Sequence, residues 1–255
     1  MNQDLLIEDK QKTINNKKKL ISNKNILYWY ENLFKHQFSS VENPESKMIL
    51  EIGSGTSPLK DYFLKNINTS DILELDYLDY VFDCHNIHQI DYIKDESLDI
   101  ITVSNVLHHL QNPITFLLRA SKKIKKGGKV LITEPYFSLF SNLIYKYLHH
   151  EPTDFKIDKP ILTNITGPLS TANIALPYLI FFKKNWYKAL FENYDINLKN
   201  IRYFSSISYF ITGGISIKIP LPKYLYRILF KLDIFIASLF PKLFASFFTI
   251  ELTNK

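Results

Sequence analysis

Two glycines one residue apart, Gly53 and Gly55 in ILEIGSGTSPL (Ile49 to Leu59), follow a short apolar run that carries an acid, Glu51. A glycine turn after a strand lets a ligand approach the backbone closely, and the helix that follows points free N–H groups at it. A Walker-type phosphate loop needs G-x-x-x-x-G-K-[ST]. No Gly-Lys-Ser or Gly-Lys-Thr occurs in the 255 residues, which excludes phosphoryl transfer through such a loop. A dinucleotide loop needs a third glycine where this chain has Pro58.

What remains is E-x-G-x-G. A carboxylate is a poor neighbour for a pyrophosphate and a good acceptor for a ligand ammonium. S-adenosylmethionine carries an ammonium and a sulfonium, so electrostatics favours it over the phosphate ligands. Two further groups could do chemistry: the pair His108-His109, and the cluster His149, His150, Glu151 and Asp154. The single cysteine, Cys84, excludes a disulfide framework. Without a C-x-x-C or H-x-x-x-H pair, no metal is expected.

These residues need elements to hold them. From Lys47, short apolar runs alternate with amphipathic stretches: MILEI, PLKDYFLKNI, LDIITVS, PITFLLRASKKI, GGKVLITEP. Strand alternating with helix implies a parallel sheet covered on both faces. Asn112-Pro113 reads as a helix opening and Gly127-Gly128, after Lys125-Lys126, as a helix stop. Ile26 to Phe38 has helical spacing, Ile196 to Phe204 can be a strand, and Phe247 to Leu252 alternates like a closing strand.

The ordered blocks ILEIGSGTSP, an acid after the second strand, VFDCHNI, SLDIITVSNVLHHL and KKIKKGGKVLITEP resemble the class I S-adenosylmethionine-dependent methyltransferases of the methyltransferase 11 type. The resemblance covers roughly Lys47 to Pro135. It implies an α/β, Rossmann-like doubly wound fold with a mostly parallel seven-stranded sheet. To this the sequence adds a cap inserted after the fifth strand and an amphipathic helix before the last. The expected organisation is a basic mobile arm over 1–24 and one domain over 25–255. Within it, 47–135 binds the cofactor, 136–183 caps the substrate, and 184–255 completes the fold with helix 222–241.

By the same resemblance Gly53, Ser54 and Gly55 form the turn beside the methionine and ribose, with Glu51 beneath. Asp71 binds the ribose hydroxyls if the second strand is NINTSD, whereas Glu74 or Asp76 does so if it runs through ILELD. Asp83 accepts the adenine amino group, Cys84 walls the ring, and Ser104 and Asn105 contact the amino-acid portion. Neighbouring residues at a helix start do not both face one site; the resemblance places His109 at the family's more usual position, as the base or as a hydrogen-bonding histidine of the pocket wall, with His108 bordering the acceptor. Other acceptor contacts are expected from Tyr136, His150, Glu151 and Asn173. The helix 26–38 and the insertion would close over the site.

The implied activity is methyl transfer, mainly by positioning, to oxygen of a small or lipid- or sugar-linked acceptor. The rival class is a scaffold protein that keeps the cofactor fold without turnover. The formal charge of +6 sits at the ends: six Lys against three acids in the first 25 residues, and seven Lys or Arg against two acids from Ile201 onward. No basic element with a docking motif gathers these charges, so nucleic acid is not expected. In PKYLYRILFKLDIFIASLFP (Pro222 to Pro241), Lys223, Arg227 and Lys231 form one stripe on a greasy helix. That stripe reads either as a solvated edge or as the headgroup-facing edge of an interfacial helix on an anionic membrane. The polar opening MNQDLLIEDKQKTINNKKK lacks an apolar leader, so a cytoplasmic location is expected, peripheral to the membrane on the second reading.

Overall fold

The computed structural model describes residues 3–147, 151–163, 165–191, 194–214, 219 and 221–255. Seven strands form one sheet in the order β3-β2-β1-β4-β5-β7-β6. They are β1 (Ile49–Ile52), β2 (Asn68–Asp71), β3 (Tyr80–Val81), β4 (Leu98–Ser104), β5 (Ile124–Pro135), β6 (Ile196–Phe204) and β7 (Phe247–Asn254). β1 to β5 pair in parallel, whereas β7 is antiparallel to both β5 and β6. This is the Rossmann-like, mostly parallel sheet expected.

Alternate residues of the central strands serve opposite faces, as the strand period of two requires. Ile49, Ile100 and Leu131 join one core with α2 (Lys24–Gln37). Leu50, Ile101, Val130 and Ile132 join the other with α4 (Pro113–Ser121). In α2 the apolar face Ile26, Trp29, Leu33 and Phe34 is fully buried, and Trp29 Nε1 donates to Ser205 Oγ at 3.1 Å. Each such side chain contributes about 1.5–3 kcal/mol by leaving water. α2 is thus a sheet-covering helix and does not close over the site.

The first correction concerns the N-terminal arm. Gln3–Ser22 is a helix, α1, with Asp9, Thr13 and Leu20 buried and Lys17 half-buried on one face. Its buried stripe is mostly polar, so no apolar periodicity marks it. The second concerns Gly127-Gly128. α4 opens as expected, with the Asn112 side chain accepting from Thr115 N at 3.0 Å, but it ends at Ser121. The two glycines lie inside β5, beside a register shift against β4. There a Cβ on Gly128 would meet the Asp99 carbonyl at 2.9 Å.

After β5 come α5 (Leu139–Tyr147), α6 (Leu176–Tyr178, continued as a π turn through Lys183) and α7 (Trp186–Phe191). α8 (Lys223–Leu239) and α9 (Pro241–Phe244) then precede the closing strand. Helix α3 (Pro58–Tyr62) follows the glycine turn. Among the described residues no helix is long and apolar enough to cross a membrane.

Candidate active site

The strand order reverses between β1 and β4, and in open α/β sheets the crevice beyond the strand ends at such a point binds ligands. Both glycines of the turn after β1 have positive φ, +67° at Gly53 and +46° at Gly55. Gly53 is also sterically required, because a Cβ there would lie 2.4 Å from Val106 Cγ2, which crosses from the end of β4. Ser54 stitches the turn to β2: its N–H donates to Ser70 O at 2.9 Å, and its hydroxyl accepts from Ser70 N at 3.1 Å.

Gly55 N donates to Asp71 Oδ2 at 2.9 Å, which ties the acid at the end of β2 to the glycine turn. Of the three candidate acids, Asp71 holds that place; Glu74 and Asp76 are exposed, and Glu74 pairs with Lys10. Glu51 is 5 % exposed, and its Oε2 has no hydrogen-bond partner among the described residues. Burial pushes its carboxyl up to about 8, and the charge of Asp71 adds to the rise. Burial also raises Asp71.

At the end of β4, Ser104 Oγ donates to Gln37 Oε1 at 3.2 Å. Asn105 takes φ +57°, donates its N–H to Thr133 O at 2.8 Å, and leaves Oδ1 buried with no hydrogen-bond partner among the described residues. The orphaned atoms of Glu51 and Asn105 are both acceptors. A bound group with N–H donors would satisfy them, and the ammonium of S-adenosylmethionine is such a group. Asp83 caps the turn after β3 and spends Oδ1 on His85 N and His85 Nδ1, at 2.9 and 2.8 Å. Cys84 is buried, and burial drives its thiol far above the ordinary range, so it is a wall and no nucleophile.

The histidine pair departs from expectation. Both rings face one carboxylate, with Glu151 Oε2 3.5 Å from His108 Nε2 and Glu151 Oε1 3.7 Å from His109 Nε2. The ring centroids are 4.2 Å apart. Glu151 arrives from the cap and sits between them, which the geometry of one helix start does not reveal. Glu134, near the end of β5 and fully buried, was given no role from sequence. Its Oε1 accepts from Val106 N and Leu107 N at 2.8 and 2.6 Å, and its Oε2 contacts His108 Nδ1 at 2.6 Å. The available signal is an acid closing the largely apolar run VLITEP.

The two imidazoles are thereby driven apart. Burial pulls His108 down, but the carboxylates of Glu134 and Glu151 overcome it and hold it up to about 10, as an imidazolium. Burial and the charge of His108 push His109 down to about 4. His109 Nδ1 lies 2.8 Å from the Thr171 carbonyl, which can only accept. The proton of the neutral ring is therefore on Nδ1, and Nε2 is left as the basic atom.

Helix α1 bridges the glycine turn and the cap. Lys17 Nζ donates to Thr56 O at 2.9 Å, pairs with Asp61 at 2.5 Å, and lies 4.3 Å from the centroid of the Tyr77 ring. The Tyr77 hydroxyl donates to Gly55 O at 2.9 Å. At the other end of the helix, Asp9 Oδ2 accepts from Leu169 N in the cap at 3.0 Å.

Two acceptor contacts expected from sequence have structural work instead. Asn173 spends its side chain on Asp154 N, Asp154 O and Ala175 N, so it pins the cap's irregular backbone. Tyr136 is buried in an aromatic cluster with Tyr178, Phe182 and Tyr203. His150 lies outside the described residues. Thr166, Ser170 and Thr171 hydrogen-bond among themselves.

The likeness to solved structures is distant. A proposed methyltransferase from Bacillus halodurans C-125 is 16 % identical, with 86 % of this chain and 97 % of that chain covered and a TM-score of 0.47. A SAM-dependent methyltransferase from Archaeoglobus fulgidus is 15 % identical, with 88 % and 94 % covered and a TM-score of 0.47. No curated protein sequence matches. A family model described as "Methyltransferase domain" matches residues 29–164, which takes in the glycine turn, Asp71, Asp83, both histidines, Glu134 and Glu151. That match spans more than half of the sequence, and the chain belongs to this methyltransferase family.

Proposed function

We propose that the protein moves the methyl group of S-adenosylmethionine to an oxygen of a small acceptor, or one carried on a lipid or sugar, in the cytoplasm or at the inner face of the membrane. When bound, the cofactor supplies a methyl already activated by a sulfonium. The chain's task is then to align the acceptor, exclude water and take a proton. Glu51, Gly53, Ser54, Gly55, Ser104 and Asn105 hold the amino-acid end, Asp71 the ribose hydroxyls, and Asp83 and Cys84 the adenine side.

One observation carries the choice of oxygen: His109 is neutral with Nε2 unprotonated, beside a carboxylate. A hydroxyl must lose a proton as it is methylated, and Nε2 can receive it. The ion pair with Glu151 stabilises the imidazolium that results. Glu134 and His108 position Glu151 and hold the backbone of the Val106–Leu107 turn. α1, bridging the glycine turn and the cap, excludes water.

Calorimetry with S-adenosylmethionine and S-adenosylhomocysteine tests the first half. Both bind, and Gly53→Leu, which drives a side chain into Val106, abolishes the signal. Binding by neither ligand would refute the reading. Transfer of label from the cofactor into lipid and sugar-nucleotide extracts tests the second half, with His109→Gln expected to lower transfer about a hundredfold while binding is kept. Undiminished transfer by that variant would remove His109 as the base.

A further inference from the structure

Helix α8 shows three faces. Tyr226, Phe230, Asp233 and Ala237 are buried against the body. Asp233 anchors them, accepting from Ser206 N at 2.9 Å and Ile207 N at 2.8 Å. At 3.6 residues per turn, Lys223, Arg227 and Lys231 fall along one flank. The remaining arc, roughly 140° wide, is apolar and open. Tyr224, Ile228, Leu232, Phe235 and Leu239 on it are each more than half exposed.

The apolar surface continues beyond α8. α9 touches both α8 and α5; Phe244 of α9 meets Phe140 of α5 with ring centroids 6.4 Å apart. On α5, Leu139, Leu143 and Tyr147, at i, i+4 and i+8, are also more than half exposed.

We propose that this surface docks on an anionic lipid bilayer, with the apolar arc of α8 in the headgroup–acyl boundary and the cationic flank among the headgroups. Charge decides the occupant. From residue 223 to 244 the chain carries Lys223, Arg227, Lys231 and Lys242 against one acid, Asp233, which is buried. None of the four cations has an ion pair among the described residues. At the N-terminal end of the flank is a cavity of about 200 Å³ lined by Lys24, Tyr28, Lys223, Tyr226 and Arg227. The one acid at its edge, Glu31, is already paired with Lys35 at 2.6 Å. An anionic headgroup phosphate fits that cationic, aromatic-walled cavity.

A second copy of the chain is disfavoured, because a two-fold contact through α8 sets this net-positive surface, whose one acid is buried, against itself. The helix lies on the bilayer and does not span it. Tyr147 on α5 is four residues from Glu151, at most about 14 Å along the chain. On the methyl-transfer reading, on which this last step alone rests, an acceptor anchored in the bilayer therefore enters beside the histidine pair.

Flotation of the full chain, without cofactor, tests the docking. The wild type is expected to float with mixed phosphatidylcholine–phosphatidylglycerol vesicles and not with phosphatidylcholine alone. Lys223→Gln/Arg227→Gln/Lys231→Gln should bind about a hundredfold more weakly, at roughly fivefold per cation. Leu232→Ser/Phe235→Ser should lose the binding that survives in high salt. All these side chains are exposed, and unchanged S-adenosylhomocysteine binding by calorimetry verifies the fold of each variant. The proposal is overturned if the wild type stays down with anionic vesicles or if the triple variant floats as well as wild type. A wild-type dimer in sedimentation that Leu232→Ser/Phe235→Ser dissociates would also overturn it. None of these outcomes touches the methyl-transfer reading, which the calorimetry and label transfer decide separately.

Discussion

If Glu51 meets the ligand ammonium as proposed, its buried carboxyl, raised to about 8 and with no partner on one oxygen among the described residues, should make cofactor binding a proton-release reaction. At pH 7 a group of that pKa is about 90 % protonated, whereas beside a ligand ammonium it is ionised. Binding of S-adenosylhomocysteine, which carries the same ammonium, should release about 0.9 proton at pH 7, and affinity should rise roughly fiftyfold from pH 6 to pH 8. Calorimetry in phosphate and in Tris, buffers of very different ionisation enthalpy, reads the proton count directly.

Glu51→Gln gives the opposing controls. It keeps the volume, removes the titration, and exchanges a charged hydrogen bond for a neutral one. Release should fall to zero and affinity by roughly ten- to hundredfold. The same variant should be more stable. A carboxyl whose folded pKa is raised from 4.5 to about 8 contributes stability that is fully present below about 4.5 and lost as pH rises through about 8. At pH 7, Gln in its place should gain about 3 kcal/mol in urea unfolding. Identical heats in the two buffers, together with a pH-independent affinity, would show that Glu51 does not meet the ligand.

Glu134→Gln should lower the His108 titration followed by NMR from about 10 towards its ordinary value, because it removes the larger of two carboxylate attractions. A raised histidine stabilises fully below its unfolded value of 6.5 and ceases to as pH passes about 10, so the variant's cost, about 2–4 kcal/mol at pH 6, should vanish by about pH 11; a cost independent of pH would refute the pair. Lys17→Ala should weaken S-adenosylhomocysteine binding several-fold in calorimetry, since it frees α1 from Thr56 and Asp61; unchanged affinity would show that α1 does not cover the ligand. Native Cys84 should resist a thiol reagent that labels it at once in urea, because burial suppresses its thiolate.

The sequence told most where local pattern and burial agree. Ile196 to Phe204 and the strand starting at Phe247 fall where the alternation places them, and α2 and α8 where the helical spacing does. It told least where a buried face is polar. α1 buries Asp9 and Thr13, and beyond the one core residue Leu20 it grips the body through the polar contacts of Asp9 and Lys17, which no hydrophobic period reports. Gly127-Gly128 misled because glycine marks close backbone approach inside a strand as readily as a helix end. In the site, the glycine turn and the acids were legible because each follows a strand end, a place fixed by local order. Glu134 and the shared facing of the histidines were not, since Glu134 reaches across from β5 to the turn after β4 and the histidines meet through Glu151, which returns from the cap.

The polar helix and the polar site share one physical cause. Glu51, Asp71, Asn105, His108 and Glu134 are groups that a folding core would exclude, and burial costs free energy wherever pairing is incomplete. Glu51 Oε2 and Asn105 Oδ1 have no hydrogen-bond partner among the described residues. Glu134 and His108 neutralise each other, and the N–H groups of Val106 and Leu107 both donate to the same carboxylate. What holds these groups in place is the apolar body on either side of the sheet, where Trp29, Phe34, Phe116 and Phe248 are sealed from water. The site's unfavourable electrostatics thus follow from a pocket whose free acceptors await a cationic ligand. Its counter-charges come from three places: Glu134 on β5 and Glu151 in the cap face His108, and Lys17 on α1 pairs with Asp61 beside the glycine turn.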